Sequence, residues 1–114
     1  MTRRGDRVPR PADPDDWDLY AADNSAGHGW DELCCSHPAA ARAAFDALQR
    51  DPRRRTQRQH PLQGSLGRRS IGGRELPQWQ YEVTGGGRIW YCIDDEKQRV
   101  WITRAGARHP KATE

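Results

Sequence analysis

Long hydrophobic runs are absent from this sequence. It has 114 residues, of which 34% are hydrophobic, and no apolar stretch approaches the roughly 20 residues of a membrane-spanning helix. The N-terminal segment MTRRGDRVPRPADPDD is basic, but it is not followed by the apolar core segment of a secretory signal peptide. We therefore expect a cytoplasmic protein with no membrane partner.

Cysteine is also scarce, occurring only as Cys34, Cys35 and Cys92. Two of the three are adjacent and the count is odd, which is a poor basis for a disulfide framework. Together with His37 they contain no CxxC or HxxxH spacing, so we expect buried, apolar behaviour and no metal site. Glycine motifs that cradle phosphate, such as GxGxxG or GxxxxGK, are missing, and no cofactor is expected.

Lysine contributes only two of the 19 basic residues, and the other 17 are arginine. The formal charge is +3 and the pI is about 9.0. Arginine suits bidentate contacts with phosphate and stacking on aromatic rings. The composition favours a nucleic-acid partner, although a GC-rich genome also raises the arginine content.

The length predicts one domain. Residues 1–16 are rich in Arg, Pro and Asp and have little to bury, so they are predicted to form a disordered, basic, proline-rich tail. The domain is expected to span residues 17–114. It begins with WDLY, residues 17–20, which could form a first strand.

Two helices are predicted over WDELCCSHPAAARAAFDALQR. Trp30, Leu33 and Cys34 follow helical spacing until Pro38 interrupts the pattern. A second helix runs from about Pro38 to Arg50, since its apolar residues again repeat at intervals of three and four. The pair is expected to form a helical hairpin.

The remainder of the chain predicts a small sheet. Residues 50–74 are read as a basic linker, because eight arginines lie there with few apolar residues. Strands are predicted over 77–84, 88–94 and 99–103, where apolar and polar residues alternate. Helices followed by strands predict an α+β fold.

The two faces of this sheet differ in character. If Gly85–Gly87 form a three-residue loop, Thr84 pairs with Arg88, which fixes the residues that share a side. The side expected to pack on the helices holds Trp79, Tyr81, Val83, Ile89, Tyr91, Ile93, Val100 and Ile102. The opposite side holds Gln80, Glu82, Thr84, Arg88, Trp90, Cys92, Trp101 and Thr103. Its two tryptophans either have a packing role on the sheet or stack on nucleic-acid bases.

A family resemblance is carried by the order of these elements. Two helices are followed by a basic RQHPLQGSL connection, WQYEV, GRIWY, a last strand and HPK. Over about residues 17–114 this order resembles the RelE/ParE superfamily of type II toxins, especially its RelE, HigB and YoeB members. The resemblance implies two N-terminal helices packed on a small, mostly antiparallel sheet. It also implies a metal-independent endoribonuclease that cleaves mRNA on the ribosome and is blocked by a cognate antitoxin protein.

The resemblance assigns roles to particular residues. Arg88 would stabilise the phosphate, and His109 would transfer a proton as acid or base. No tyrosine follows His109 as in the YoeB pattern, so Lys111 would supply a charge or proton instead. RNA-binding roles fall to Arg55, Arg58, His60, Trp90 and Trp101.

Other interpretations remain open. Arg88 could be a solvated arginine paired across the strands with Glu82, which is otherwise a candidate base. A ParE-like toxin would bind gyrase without cutting RNA, and a non-catalytic module would bind RNA or a partner protein. His109 and the aromatic, basic face favour the ribonuclease.

Overall fold

The structure is a computed structural model that describes residues 1–11 and 13–108. None of the helices in that part of the chain has the length and apolar character needed to cross a membrane. The elements in chain order are β1 (Asp18–Ala21), α1 (Asn24–Ser36), α2 (Pro38–Arg50), β2 (Gln59–Pro61), a 3-10 turn (Gly64–Gly67), β3 (Arg68–Ile71), β4 (Arg74–Glu82), β5 (Arg88–Asp94) and β6 (Arg99–Gly106).

The expected arrangement of two N-terminal helices on a small, mostly antiparallel sheet is wrong. Strand β1 precedes the helices, which lie in the middle of the chain, and the described residues form six strands. The strand order is β1-β6-β5-β4-β2, with β3 paired to β4. Because β1 runs parallel to β6, the sheet is mixed.

Helix α2 has the predicted bounds, whereas α1 begins at Asn24, six residues before the predicted start at Trp30. Asp23 caps α1, since its Oδ1 accepts a hydrogen bond from the Ala26 N–H at 2.8 Å. Pro38 opens α2, at the helix position where a missing N–H costs least. Leu33 and Leu48 are fully buried and anchor the helices to the sheet.

The segment predicted to be a linker contains β2, the 3-10 turn and β3. The Tyr91 hydroxyl donates to the Pro52 carbonyl at 2.7 Å. The Gln59 side-chain amide donates to the Tyr91 hydroxyl and to the Asp51 carbonyl. Burial raises the pKa of Tyr91 far above its ordinary value, so this network stays neutral. Composition alone did not show that this segment is anchored, because polar side chains make the anchoring contacts.

The β4–β5 register differs from the expected one by two residues. Glu82 pairs with Arg88, so the connection spans residues 83–87 instead of three glycines. A shift of two leaves each side chain on its expected face. The helix-facing side accordingly contains the core residues Trp79, Val83, Ile89, Tyr91, Ile93, Val100 and Ile102, with Tyr81 packed against them.

The opposite face is covered by the hairpin of β3 and the first half of β4. The Gln78 amide donates to the Leu66 carbonyl at 2.7 Å, and Arg69 donates to the Thr103 carbonyl. Arg74 forms an ion pair with Asp94, whose side chain is fully buried. The hydrogen bonds from Arg74, with smaller contributions from Trp101 and the Lys97 N–H, lower the pKa of Asp94 to about 2. We call this side the hairpin-covered face.

The outer strands β1 and β2 differ in how the backbone groups on their outward side are satisfied. At β2, Thr56 and Gln59 exchange backbone hydrogen bonds of 2.8 and 3.3 Å, and Pro61 has no N–H. At β1, the N–H groups of Asp18 and Ala22 donate inward to β6. Alternation along the strand therefore turns the backbone groups of Leu19 outward.

Candidate nucleic-acid interface

A cleft of about 490 Å³ lies beside the last part of β6. Strand β1 ends at Ala21, opposite Ile102. Beyond that point, α1 begins where β1 would have continued. The cleft is lined by Ser25, Arg69, Trp90, Thr103, Arg104 and Ala105. It is large enough for a nucleotide-sized ligand and is bounded by two arginines and a tryptophan.

A β-bulge at Thr103 directs Arg104 into this cleft. Tyr91 pairs with Ile102 while Trp90 pairs with Arg104, so Thr103 is the extra residue. The Thr103 hydroxyl donates to the Gln78 side-chain oxygen at 2.6 Å. With regular alternation Arg104 would face the helices, but its guanidinium carbon lies 5.3 Å from the Trp90 ring centroid.

Arg69 reaches the cleft from β3 and connects it to α1. One guanidinium nitrogen donates to the Thr103 carbonyl and the other to Asp23, both at 3.3 Å. The Ala26 N–H, followed by Arg69, lowers the pKa of Asp23, so its carboxylate is charged at neutral pH. Within residues 1–11 and 13–108, no carboxylate lies within 4.0 Å of Arg104. The described lining therefore keeps an excess of positive charge.

Trp90 forms a wall of the cleft and is not an open platform. Trp90 is only 7% exposed, and its Nε1 donates to the Gln80 side-chain oxygen at 2.9 Å. His60 lies on the same face, because it pairs with Gln80 across β2 and β4. Its Nδ1 is 3.2 Å from the Pro61 carbonyl. The predicted RNA-binding residues Trp90 and His60 are thus neighbours of one glutamine.

Trp101 also lies on the hairpin-covered face, opposite Cys92. It is half-buried, and its Nε1 is hydrogen-bonded to Asp94 at 3.3 Å. Its ring contacts Tyr20 of β1, with 5.3 Å between centroids. The two tryptophans therefore share a face, as expected, although hydrogen bonds fix both indoles.

Arg88 is engaged by the turn that precedes β5. Its Nη1 donates to the carbonyls of Thr84, Gly85 and Gly87 at 3.0–3.3 Å and lies 3.8 Å from Glu82. The residue is 9% exposed, and its Nε is buried without a hydrogen-bond partner. Arg88 does not line the cleft, so in this geometry it stabilises the turn. A role in phosphate binding stays a prediction.

Arg55 and Arg58 do not line the cleft. The Arg55 guanidinium is 5.4 Å from the ring centroid of Trp79, which belongs to the helix-packed core. Arg58 lines a separate groove of about 450 Å³ with Arg50 and Arg54 near the end of α2. The five predicted RNA-binding residues are therefore divided between two surfaces.

His109 and Lys111 lie outside the described residues. The chain leaves β6 at Gly106, which pairs with Arg88 on the neighbouring strand. Arg108 is the last described residue.

Metal-ligand clusters and thiols offer no second site in the described part of the chain. Residues 1–11 and 13–108 contain no group of three His, Cys, Asp or Glu side chains placed to hold a metal ion. Cys92 is fully buried, and burial raises the pKa of its thiol to about 11. Burial likewise raises the pKa of Cys34, whereas Cys35 is exposed.

In comparisons with known proteins, no family model and no curated protein matches this sequence. The RelE/ParE resemblance consequently depends on the quoted sequence segments alone.

The sequence prediction missed Arg69, Arg104 and Tyr20. Arg69 was one of eight arginines in a segment read as a linker, and nothing in the sequence distinguishes it. Arg104 falls on the wrong face unless the bulge is known. Tyr20 could have been found, because it alternates with Leu19 in the short WDLY segment.

Proposed function

We propose that this protein is the toxin of a type II toxin–antitoxin pair and that it cleaves mRNA on the ribosome without a metal ion. The RNA backbone would bind in the cleft beside β6, and a cognate antitoxin would block it. This proposal combines the family resemblance with the chemistry of the cleft.

The observation that carries the proposal is the pairing of Arg104 with Trp90 beside Arg69. The Trp90 indole holds the exposed Arg104 guanidinium in place, and this cation offers its charge and its flat face to a phosphate attached to a base. Arg69 already binds a carboxylate, Asp23, so its guanidinium is oriented toward an anion.

The proposed reaction is an attack by the ribose 2′-hydroxyl on the adjacent phosphate, with departure of the 5′ oxygen. Two positive charges near the phosphate would stabilise the negative charge that develops on it. His109 would accept or donate a proton, since its ordinary pKa of about 6.5 suits both roles. Lys111 would add a further charge or proton.

The proposal is tested by expressing the protein from a tightly controlled promoter and mapping the 5′ ends of cellular RNA. The variants are Arg104→Ala and His109→Ala. The control is Arg42→Ala, an exposed arginine of α2 whose ion pair among the described residues is with Asp46. New cuts within translated mRNA that persist in the control and disappear in both test variants support the proposal. Equal cutting by Arg104→Ala contradicts the assignment of the cleft.

A non-catalytic binding module is the second candidate, because Arg88 is occupied by three carbonyls. A folded protein that causes neither growth arrest nor cuts would favour this module. Growth arrest without cuts would favour a ParE-like toxin that binds gyrase.

A further inference from the structure

An exposed aromatic side chain on β1 is paired with a second one on β6. Tyr20 is 40% exposed, and it is the direct cross-strand partner of Trp101. The Arg99 guanidinium carbon lies 4.3 Å from the Tyr20 centroid and 5.7 Å from the Trp101 centroid. We call Tyr20, Arg99 and Trp101 the Tyr20 cluster.

The Tyr20 cluster is cationic and held in place. No carboxylate of the described residues lies within 4.0 Å of Arg99, although Asp18 and Asp94 are its register partners. The indole of Trp101 is fixed by its hydrogen bond to Asp94, whose charge is balanced by Arg74. The arginine charge is therefore presented on two aromatic rings, and one of these rings is open to solvent.

The cluster lies on the same face of the sheet as the cleft. Trp101 and Arg104 are three residues apart on β6, which corresponds to roughly 10 Å along a strand. A few nucleotides of extended single strand span that distance. Arg69, which projects from the covering hairpin onto Thr103, lies between the two points and supplies a positive charge along the way.

We infer that the Tyr20 cluster is a second base-stacking subsite for single-stranded RNA. The bound strand runs along β6 from the cleft to Tyr20, with one base on the Tyr20 ring and a phosphate near Arg99. This inference rests on the proposed function, since the two sites hold the same strand. Stacking is tolerant of base identity, so the subsite sets the length of the bound strand more than its sequence.

The competing explanation is that the cluster only fastens β1 to β6. Aromatic cross-strand pairs stabilise sheets, and an arginine over a ring adds to that effect. A purely structural cluster predicts that its loss lowers the unfolding temperature without changing RNA affinity. Affinity as a function of strand length separates the two explanations.

The experiment measures fluorescence anisotropy of full-length protein with labelled 2′-O-methyl oligouridylates of two and nine nucleotides. These probes lack the attacking hydroxyl, so cleavage does not interfere. Tyr20→Leu removes the ring and keeps the apolar bulk, while Tyr20→Phe keeps the ring. Arg104→Ala removes the cation of the cleft.

We expect Tyr20→Leu to bind the nine-nucleotide probe about tenfold more weakly than wild type, within the range measured for one stacked base. Its affinity for the two-nucleotide probe should be unchanged, and Tyr20→Phe should match wild type for both probes. Arg104→Ala should weaken binding of both. If Tyr20→Leu does not fold, Arg99→Gln replaces it, with a salt dependence for the long probe that is smaller by about one released counterion.

Unchanged affinity of Tyr20→Leu for the nine-nucleotide probe would overturn the subsite, while a weakened Arg104→Ala would leave the proposed function intact. A wild-type protein that binds neither probe but cuts RNA in cells would overturn the subsite alone. Absence of both binding and cuts would overturn the subsite and the proposed function together.

Discussion

The two faces of the sheet are buried by different chemistry. On the helix side, Tyr91, Ile93 and Val100 pack against apolar residues such as Leu33 and Leu48. Contacts of this kind depend on volume and are not directional. They stabilise the fold without fixing the orientation of any charge.

On the hairpin-covered face, hydrogen bonds and ion pairs replace most of these contacts. Thr103 bonds to Gln78, and Arg74 bonds to Asp94. Directional bonds fix the positions of neighbouring groups, as a binding site requires. The candidate site therefore lies where the sheet is covered by polar contacts, even though stability depends mainly on the other face.

The largest expected effect is on the helix side. Leu48→Ala should lower the free energy of unfolding by about 3 kcal/mol, because it removes a fully buried side chain and leaves a cavity. Urea unfolding measures this loss. Arg42→Ala on the same helix should change stability by no more than about 0.5 kcal/mol, and equal effects of the two changes would contradict this picture of the core.

The next largest loss of stability is expected on the hairpin-covered face. Asp94→Asn should cost about 2 kcal/mol, because it removes the charge that pairs with Arg74 inside the protein. Asp95→Asn is the matched control, since Asp95 forms an exposed pair with Arg53 and should cost less than about 1 kcal/mol. If Asp95→Asn is as destabilising as Asp94→Asn, burial of Asp94 does not increase the loss of unfolding free energy.

A smaller change in the free energy of unfolding is expected when the pH is lowered. The pKa of Asp94 is lowered from its ordinary 3.8 to about 2, so its ion pair stabilises the folded protein above about pH 4. That contribution should be lost as the pH falls toward 2, because protonation then removes the charge in the folded state as well. Unfolding curves of wild type and Asp94→Asn should therefore converge between pH 4 and pH 2. A constant difference would show that the charge of Asp94 is not the cause.

The smallest effect on stability is expected in the cleft. Arg104→Ala should change the free energy of unfolding by about 0.5 kcal/mol, since the side chain is exposed and contacts mainly the Trp90 ring. Its RNA affinity should nevertheless fall at every probe length. Denaturant unfolding measured beside RNA binding checks both outcomes, and a large loss of stability would make Arg104 a structural residue.

The assignment of residues to faces was predictable, because period-two alternation survives an error of two in register. The expected pairing of Thr84 with Arg88 was wrong, yet Trp79, Tyr81 and Ile89 still face the helices. The single inserted residue at Thr103 has the opposite consequence. It moves Arg104 to the other face, and no local signal in RVWITRAG indicates a bulge.

The covering hairpin was not predictable from composition. Its arginines indicate solvent exposure when read singly, but Arg69 and Arg74 bind partners 34 and 20 residues away. Contacts of such sequence separation are decided by the tertiary fold. The same limit explains why Arg55 and Arg58 were grouped with Trp90, although they do not line its cleft.

The unlike edges of the sheet have a consequence for self-association. Endless stacking of sheets edge to edge needs two accessible edges on every molecule. Strand β2 closes its edge through Thr56, Gln59 and Pro61, whereas β1 turns the backbone groups of Leu19 outward. Of the two outer strands in the β1-β6-β5-β4-β2 order, β1 is therefore the one that stays open to pairing with another strand. The turn from Thr56 to Gln59 thus removes one end of the sheet as a site of fibre growth.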